Sequence, residues 1–261
     1  MKVTVITPLY GHDHRAREAF RKLLLSMIRE RPSEWIVVYD DTALWIETEK
    51  VPGFMKLVRS PDVRQAHKKN IALNMAQGDI IVFIDADQEA EKGLLSEIRQ
   101  LFERGADVVI IPERFGSPRS YFELCYFTIR ELYWLLVEGI PRAFRKELVE
   151  DIRFRPSLHY AEDIEFWREL RNRYRDIKVF KTRRFLIHNE TFSFTKMMRK
   201  IIASSRAKKA MRYREGKKTF VRQRFVYLLV KKIAEEPWLI PGVVLLLLMR
   251  SILRRVILRI S

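Results

Sequence analysis

The sequence predicts an α/β protein: a mostly parallel, mixed sheet flanked by helices, followed by a basic, amphipathic helical tail. Three observations carry this expectation. Strand-like apolar runs alternate with segments of helical spacing over the first 115 residues. One of these runs, IIVFI (Ile80 to Ile84), is apolar without interruption, as strands buried on both faces of a parallel sheet are. Residues 178–261 hold 22 Lys/Arg against four Asp/Glu, a net of +18, whereas the first 177 residues hold 28 and 29. The excess charge therefore belongs to the tail.

The elements follow in order. VTVITPLYG (Val3 to Gly11) reads as the first strand, broken by Pro8 and Gly11. REAFRKLLLSMIRE places Phe20, Leu23, Leu24, Met27 and Ile28 on one side of a helix. WIVVYDD (Trp35 to Asp41) is a second strand ending in paired acids. DVRQAHKKNIALNMAQG reads as a helix with Asp62 as N-cap and Gly78 as its stop. It leads into IIVFI, which ends in Asp85 and Asp87, and ADVVIIP (Ala106 to Pro112) is the next strand. YFELCYFTIRELYWLLVEG (Tyr121 to Gly139) has helical spacing and reads as a core helix, with lipid contact as the alternative. EDIEFWREL opens a further helix with Ile164, Trp167 and Leu170 on its apolar face.

The chemistry concentrates at strand ends. Asp85 and Asp87, spaced i, i+2, project on the same side of the end of their strand. Open α/β sheets bind ligands at the carboxyl ends of their strands. Hard oxygen donors there suit Mg²⁺ or Mn²⁺, which take one or two carboxylates and complete their shell with phosphate and water. An Asp-rich turn without function is the bland alternative. Polar residues brought by three strands to one sheet edge favour a site.

TPLYG, the Asp40-Asp41 pair, KKNIAL with its following GD, Asp85-Ala86-Asp87, GIPRAFRKELVE and the Glu162-Asp163 pair resemble, in order and spacing, family 2 glycosyltransferases of GT-A fold. The resemblance covers roughly the first 200 residues. Two positions depart from the common pattern: Lys69 stands where an Arg often precedes the Asn, and Gln88 follows the triplet where an acid is frequent. The resemblance implies inverting transfer of a sugar from a UDP- or GDP-sugar, assisted by Mn²⁺ or Mg²⁺. It implies Asp87 as the direct metal ligand, Asp85 near the ribose or reaching the metal through water, and His188 as a further ligand. Asp40 would read the base or ribose, with Thr7, Pro8, Tyr10, Asp41, Lys69 and Ala86 around the nucleotide sugar. Asp163 would be the general base, with Glu162, Arg142 and Arg145 on the acceptor. Each has a plainer alternative: Tyr10 as a loop aromatic, His188 as a strand-end residue, the arginines as surface charges, and the acid pair as partners of a helix macrodipole.

The tail points to a membrane surface. From Trp238 to Met249 it is uncharged for 12 residues, short of the roughly 20 that a span needs. Arg250, Arg254, Arg255 and Arg259 then recur among apolar residues, the pattern of a helix lying on anionic lipid. Nucleic acid is a poor match, because the basic residues interleave with Leu, Ile and Val and no helix-turn-helix or zinc pattern is present. A single Cys excludes an internal disulfide and fits a reducing compartment. The N-terminus enters a strand at once, so the cytoplasmic face of the membrane is expected. An acceptor mounted on lipid, such as polyprenyl phosphate or a lipid-linked glycan, suits such a protein. The expected organisation is a catalytic domain over 1–195, its nucleotide-sugar half 1–115 and acceptor half 116–195, and a basic helical region over 196–261. Competing classes are a nucleotidyltransferase and a basic membrane- or nucleic-acid-binding protein without catalysis. The former usually has a Gly-rich phosphate loop, and TPLYGHDHR offers one Gly. The sequence leaves the oligomeric state open.

Overall fold

The computed structural model describes residues 1–11, 13–136, 139–158, 161–210 and 218–260. They form two compact units, Met1–Arg114 with Gly139–Asn189, and Phe115–Glu138 with Glu190–Ser261. This division differs from the expected break after residue 195. The apolar face of the Tyr121–Leu136 helix finds its partners in the tail, where Cys125, Ile129 and Leu132 pack with Met197, Ile201, Leu239 and Val243.

Among the described residues, the first unit is built on ten short strands: β1 (Val3–Leu9), β2 (Glu34–Tyr39), β3 (Met55–Arg59), β4 (Ile80–Phe83), β5 (Gln88–Ala90), β6 (Val108–Ile110), β7 (Glu113–Phe115, ending at the unit boundary), β8 (Ala143–Arg145), β9 (Val179–Lys181) and β10 (Leu186–His188). Seven make one sheet in the order β3-β2-β1-β4-β8-β6-β9, and β5-β10-β7 make a small second one. In the large sheet only β8 runs antiparallel to its neighbours, so the sheet is mixed but mostly parallel, as expected. β3 was not apparent in the sequence: its exposed Lys56 and Arg59 break the apolar run that marks the buried strands.

The helices pack on both faces. α1 (His14–Glu30) starts where the Asp13 carboxylate accepts the Ala16 N–H at 2.8 Å. It buries Phe20, Leu23 and Met27 against the sheet, with Phe20 stacked on Trp35 at 5.7 Å. Ile28, expected on that face, is exposed. α2 (Gln65–Met75) is shorter than its sequence pattern at both ends. Asp62 accepts the Arg64 N–H at 2.8 Å and closes a turn ahead of the helix, and the backbone is already extended at Ala76. Gly78 then passes so close to β1 that a Cβ there would lie 2.6 Å from the Thr4 nitrogen. α3 (Leu94–Glu103) joins α1 on one face. On the other, Phe83, Phe144, Phe154 and Phe166 pack together, with Phe166 supplied by α6 (Glu162–Arg173). α4 (Tyr121–Leu136) and the one-turn α5 (Lys146–Val149) complete the middle of the chain.

β1 pairs with β2 on one side and β4 on the other, both parallel, so the strand order reverses between β1 and β4. Such a switch point opens a crevice at the carboxyl ends of the strands, because the connections leave in opposite directions. Just past the carboxyl ends of β1, β2 and β4, three neighbouring strands, come Tyr10, Asp40 and Asp85.

The second unit is helical: α4 with α7 (Phe194–Ala210), α8 (Lys218–Glu235) and α9 (Ile240–Ile260). On α9, Val243 and Leu246 are buried, whereas Val244, Leu245, Leu248 and Ile252 form an exposed apolar stripe at helical spacing. Among the described residues no single helix is long and apolar enough to cross a membrane; Phe225–Glu235 and Pro237–Leu253 meet that test only together, bent by 116°. Residues 211–217 and the side chains of Arg254, Arg255 and Arg259, part of the basic tail pattern, lie outside the described residues.

Candidate active site

Two groups of side chains meet along the edge formed by β1, β2 and β4. The first surrounds Asp40, which follows β2 directly and is buried. One carboxylate oxygen accepts the N–H and hydroxyl of Thr42, at 2.7 and 2.5 Å. The other pairs with the Lys68 ammonium, delivered by α2, which also donates to the Leu9 carbonyl at 2.6 Å. Burial would raise the Asp40 carboxyl, but the bonds from Lys68 and Thr42 outweigh it and hold it below its ordinary range. Burial pulls the Lys68 ammonium down, only partly offset by Asp40. The Tyr10 ring, half exposed, has its centroid 5.8 Å from the Lys68 nitrogen.

The second group surrounds the turn after β4. Arg142, just before β8, places one guanidinium nitrogen 3.0 Å from Asp85 and another 2.5 Å from Glu113. His188, the last residue of β10, lies between two acids. Its Nε2 is 3.1 Å from Asp87 and its Nδ1 is 3.5 Å from Glu113. Burial would lower its pKa, but these carboxylates push it up to about 10. At the start of α6, Glu162 accepts from the buried Lys69 ammonium at 2.8 Å. Ala161 before it adopts a left-handed conformation, φ 63°, that turns the chain into the helix. Burial would lower Lys69, and the charges of Glu162, Asp85 and Asp163 together raise it. Arg142 is likewise raised, burial being outweighed by Glu113, Asp85 and Asp163. Asp85 and Asp163 therefore share two cations although 78 residues separate them in sequence. Burial and the neighbouring Glu162 raise the Asp163 carboxyl, with Lys69 and Arg142 pulling the other way.

Most of the residues chosen from sequence thus come together: Tyr10, Asp40, Lys69, Asp85, Ala86, Asp87, Arg142, Glu162, Asp163 and His188. Four do not. The Thr7 hydroxyl is buried on the α1 face, where it accepts the Trp35 indole N–H at 3.0 Å, and Pro8 is buried within β1. Asp41 points outward and pairs with Arg59 at 2.8 Å. Arg145 sits opposite Ile80, at the amino end of β4, and donates to the carbonyls of Ala106 and Phe102 at 2.8 and 2.7 Å. Strand direction explains the last case: Arg142 meets the carboxyl end of β4, and three residues of antiparallel strand carry Arg145 about 10 Å away. Lys68, Thr42 and Glu113 are not among the expected residues, and Gln88 enters only as a departure from the common pattern. No local pattern marks the burial of Lys68, since adjacent lysines on a helix can both extend to solvent, and only packing encloses this pair.

A mostly parallel sheet with acids just past the ends of neighbouring strands, and a second acid pair opening a later helix, is the arrangement of the GT-A fold. Residues 4–134 match the family model described as glycosyl transferase family 2, and the chain belongs to that family. No curated protein sequence matches it significantly. Among solved structures, TarS from S. aureus in complex with UDP-GlcNAc is similar at a TM-score of 0.57 and 20% identity, over 90% of this chain and 73% of that one. The mannosyltransferase PcManGT from Pyrobaculum calidifontis, in complex with GDP-Man and Mn²⁺, gives 0.57 and 20% over 96% and 75%. Glucosyl-3-phosphoglycerate synthase from Mycobacterium tuberculosis, with Mn²⁺, UDP and phosphoglyceric acid, gives 0.53 and 16% over 79% and 78%. At these identities the likeness is one of fold.

Proposed function

We propose that this glycosyltransferase moves a sugar from a UDP- or GDP-sugar to a lipid-linked acceptor, with inversion and with the help of Mn²⁺ or Mg²⁺. The observation that carries the reading is that Asp85 and Asp163 both lie near the cations Lys69 and Arg142, while Asp87, on the same turn as Asp85, stands beside His188. Among the described residues no three or more His, Cys, Asp or Glu side chains are gathered as a closed metal cage. A site for Mg²⁺ or Mn²⁺ asks for less, one or two carboxylates, with phosphate oxygens supplying the rest. The residues fit that demand. Asp85 Oδ1 is buried without a hydrogen-bond partner, and the Asp87 carboxylate is 40% exposed beside an imidazole nitrogen. Asp87, with Asp85 and His188 beside it, would hold the ion, which neutralises charge on the departing diphosphate when bound.

The chain's own groups supply the rest. Asp40 and Tyr10 bind the nucleoside end of the donor. Arg142 and Lys69 add fixed positive charge where the leaving diphosphate becomes more negative. Asp163, its carboxyl raised by burial and by Glu162, takes the proton of an acceptor hydroxyl from the face opposite the leaving group. An acceptor phosphate is already ionised, and Asp163 then orients it. The second unit supports a membrane-linked acceptor. Its exposed apolar stripe on α9 and its 20 Lys/Arg against seven Asp/Glu, a net of +13, suit an anionic bilayer surface.

The test is a thermal-shift series with Mn²⁺ and either UDP or GDP. The pair should raise the melting temperature of the wild type, and Asp87→Ala should lose the metal-dependent part. An equal shift in the variant removes Asp87 as ligand.

A further inference from the structure

Glu113 belongs to none of the sequence patterns described above, yet three side chains meet on its carboxylate. It opens β7 and its side chain is 1% exposed. Oε1 accepts from Arg142 at 2.5 Å and from the Gln88 amide nitrogen at 2.9 Å, and Oε2 lies 3.5 Å from His188 Nδ1. Each of the three continues to the acid-tipped turn after β4. Arg142 reaches the Asp85 carboxylate at 3.0 Å. The Gln88 carbonyl accepts the Asp85 backbone N–H at 2.9 Å. His188 Nε2 stands 3.1 Å from the Asp87 carboxylate.

We infer that Glu113 is a positioning residue: one buried negative charge that fixes the orientation of both Asp85 and Asp87 through Arg142, Gln88 and His188. The chemistry of each link has one polarity. A carboxylate only accepts, so Gln88 must present its NH₂ to Glu113, which leaves its carbonyl for the Asp85 N–H. His188 turns its Nδ1 side to Glu113 and its Nε2 side to Asp87, so the buried carboxylate orients the ring that stands beside Asp87. Arg142, fixed between two carboxylates, cannot follow Asp85 outward without abandoning Glu113. A carboxylate this deep is retained only with charged and hydrogen-bonded partners, and Arg142, Gln88 and His188 each lead from it to the turn.

What the two acids bind rests on the proposed function; that Glu113 holds them does not. The experiment therefore has two readouts on the full chain. In Glu113→Gln, the replacement amide can donate, so Gln88 is free to turn over. The Asp85–Gln88 amides should lose protection from hydrogen exchange while the strands of the large sheet keep theirs. The apparent affinity for Mn²⁺ in the presence of UDP or GDP should fall about 10- to 100-fold. Glu113→Asp, which keeps the charge on a shorter stem, should show both effects to a smaller degree and serves alone if the amide variant does not fold. Glu34→Gln, at a buried acid whose partners are Thr4, Gln77 and Lys56, should change neither readout. Unchanged exchange over Asp85–Gln88 in both Glu113 variants overturns the inference. If the wild type binds neither nucleotide with Mn²⁺, the proposed function fails and the exchange result still decides the role of Glu113.

Discussion

Lys68 donates its ammonium to Asp40 and to the Leu9 carbonyl while fully buried, so neither partner of the ion pair has solvent to fall back on. Removing one partner of such a pair leaves an uncompensated charge, at a cost of about 3–5 kcal/mol. Lys68→Ala should destabilise the first unit by that order in denaturant melts, and Lys68→Ala with Asp40→Asn should recover part of the loss. The Asp40 carboxyl is lowered in the folded chain, so its contribution to stability is complete above its unfolded value near 3.8 and is lost as pH falls toward the folded one. Asp163 has the opposite sign. With Asp163 as the proposed base, its raised carboxyl should move the acid limb of the pH–rate profile above the ordinary carboxylate range, since a base acts only when ionised. Asp163→Asn should keep donor binding, lose about 10²–10⁴-fold in turnover with a hydroxyl acceptor, and abolish that limb. Unchanged turnover removes Asp163 as the base.

At the scale of elements, the signals that held were those in which burial acts on a whole segment. β1, β2 and β4 lie inside the sheet with every residue buried, and their apolar runs announced them. β3 sits at the sheet edge with charged side chains in solvent, and its sequence carries little of that signal. α9 shows the opposite problem. Its apolar residues run all round the helix, and only packing tells Val243 and Leu246, which are buried, from Leu248 and Ile252, which are not. That division shapes the membrane test, because deleting the helix would also uncover Cys125 and Ile129. Replacing Val244, Leu248 and Ile252 by Ser leaves the buried face intact. The variant should sediment less with vesicles rich in anionic lipid than the wild type does, and the remaining binding should weaken with salt. Equal sedimentation places any membrane contact elsewhere.

Across the whole molecule the charge is uneven: residues 1–177 carry a net of −1 and residues 178–261 a net of +18. Local sequence determined the fold class, the acid-tipped strand and the order of the patterns that resemble family 2 glycosyltransferases, because strand burial and strand-end chemistry are written within a few consecutive residues. Strand direction, partner choice and depth were decided only in three dimensions. They sent Arg145 to the wrong end of β4 for the site, turned Thr7 inward to Trp35, and moved α4 from the first unit to the second. They also brought Glu113 and Lys68 to the acids from 28 residues away in each case, counting to Asp85 and from Asp40. Periodicity tells which face of an element is apolar. It does not tell which charged side chain, from which distant element, will be enclosed beside an acid, since that is set by the packing of the sheet and the closing of its connections.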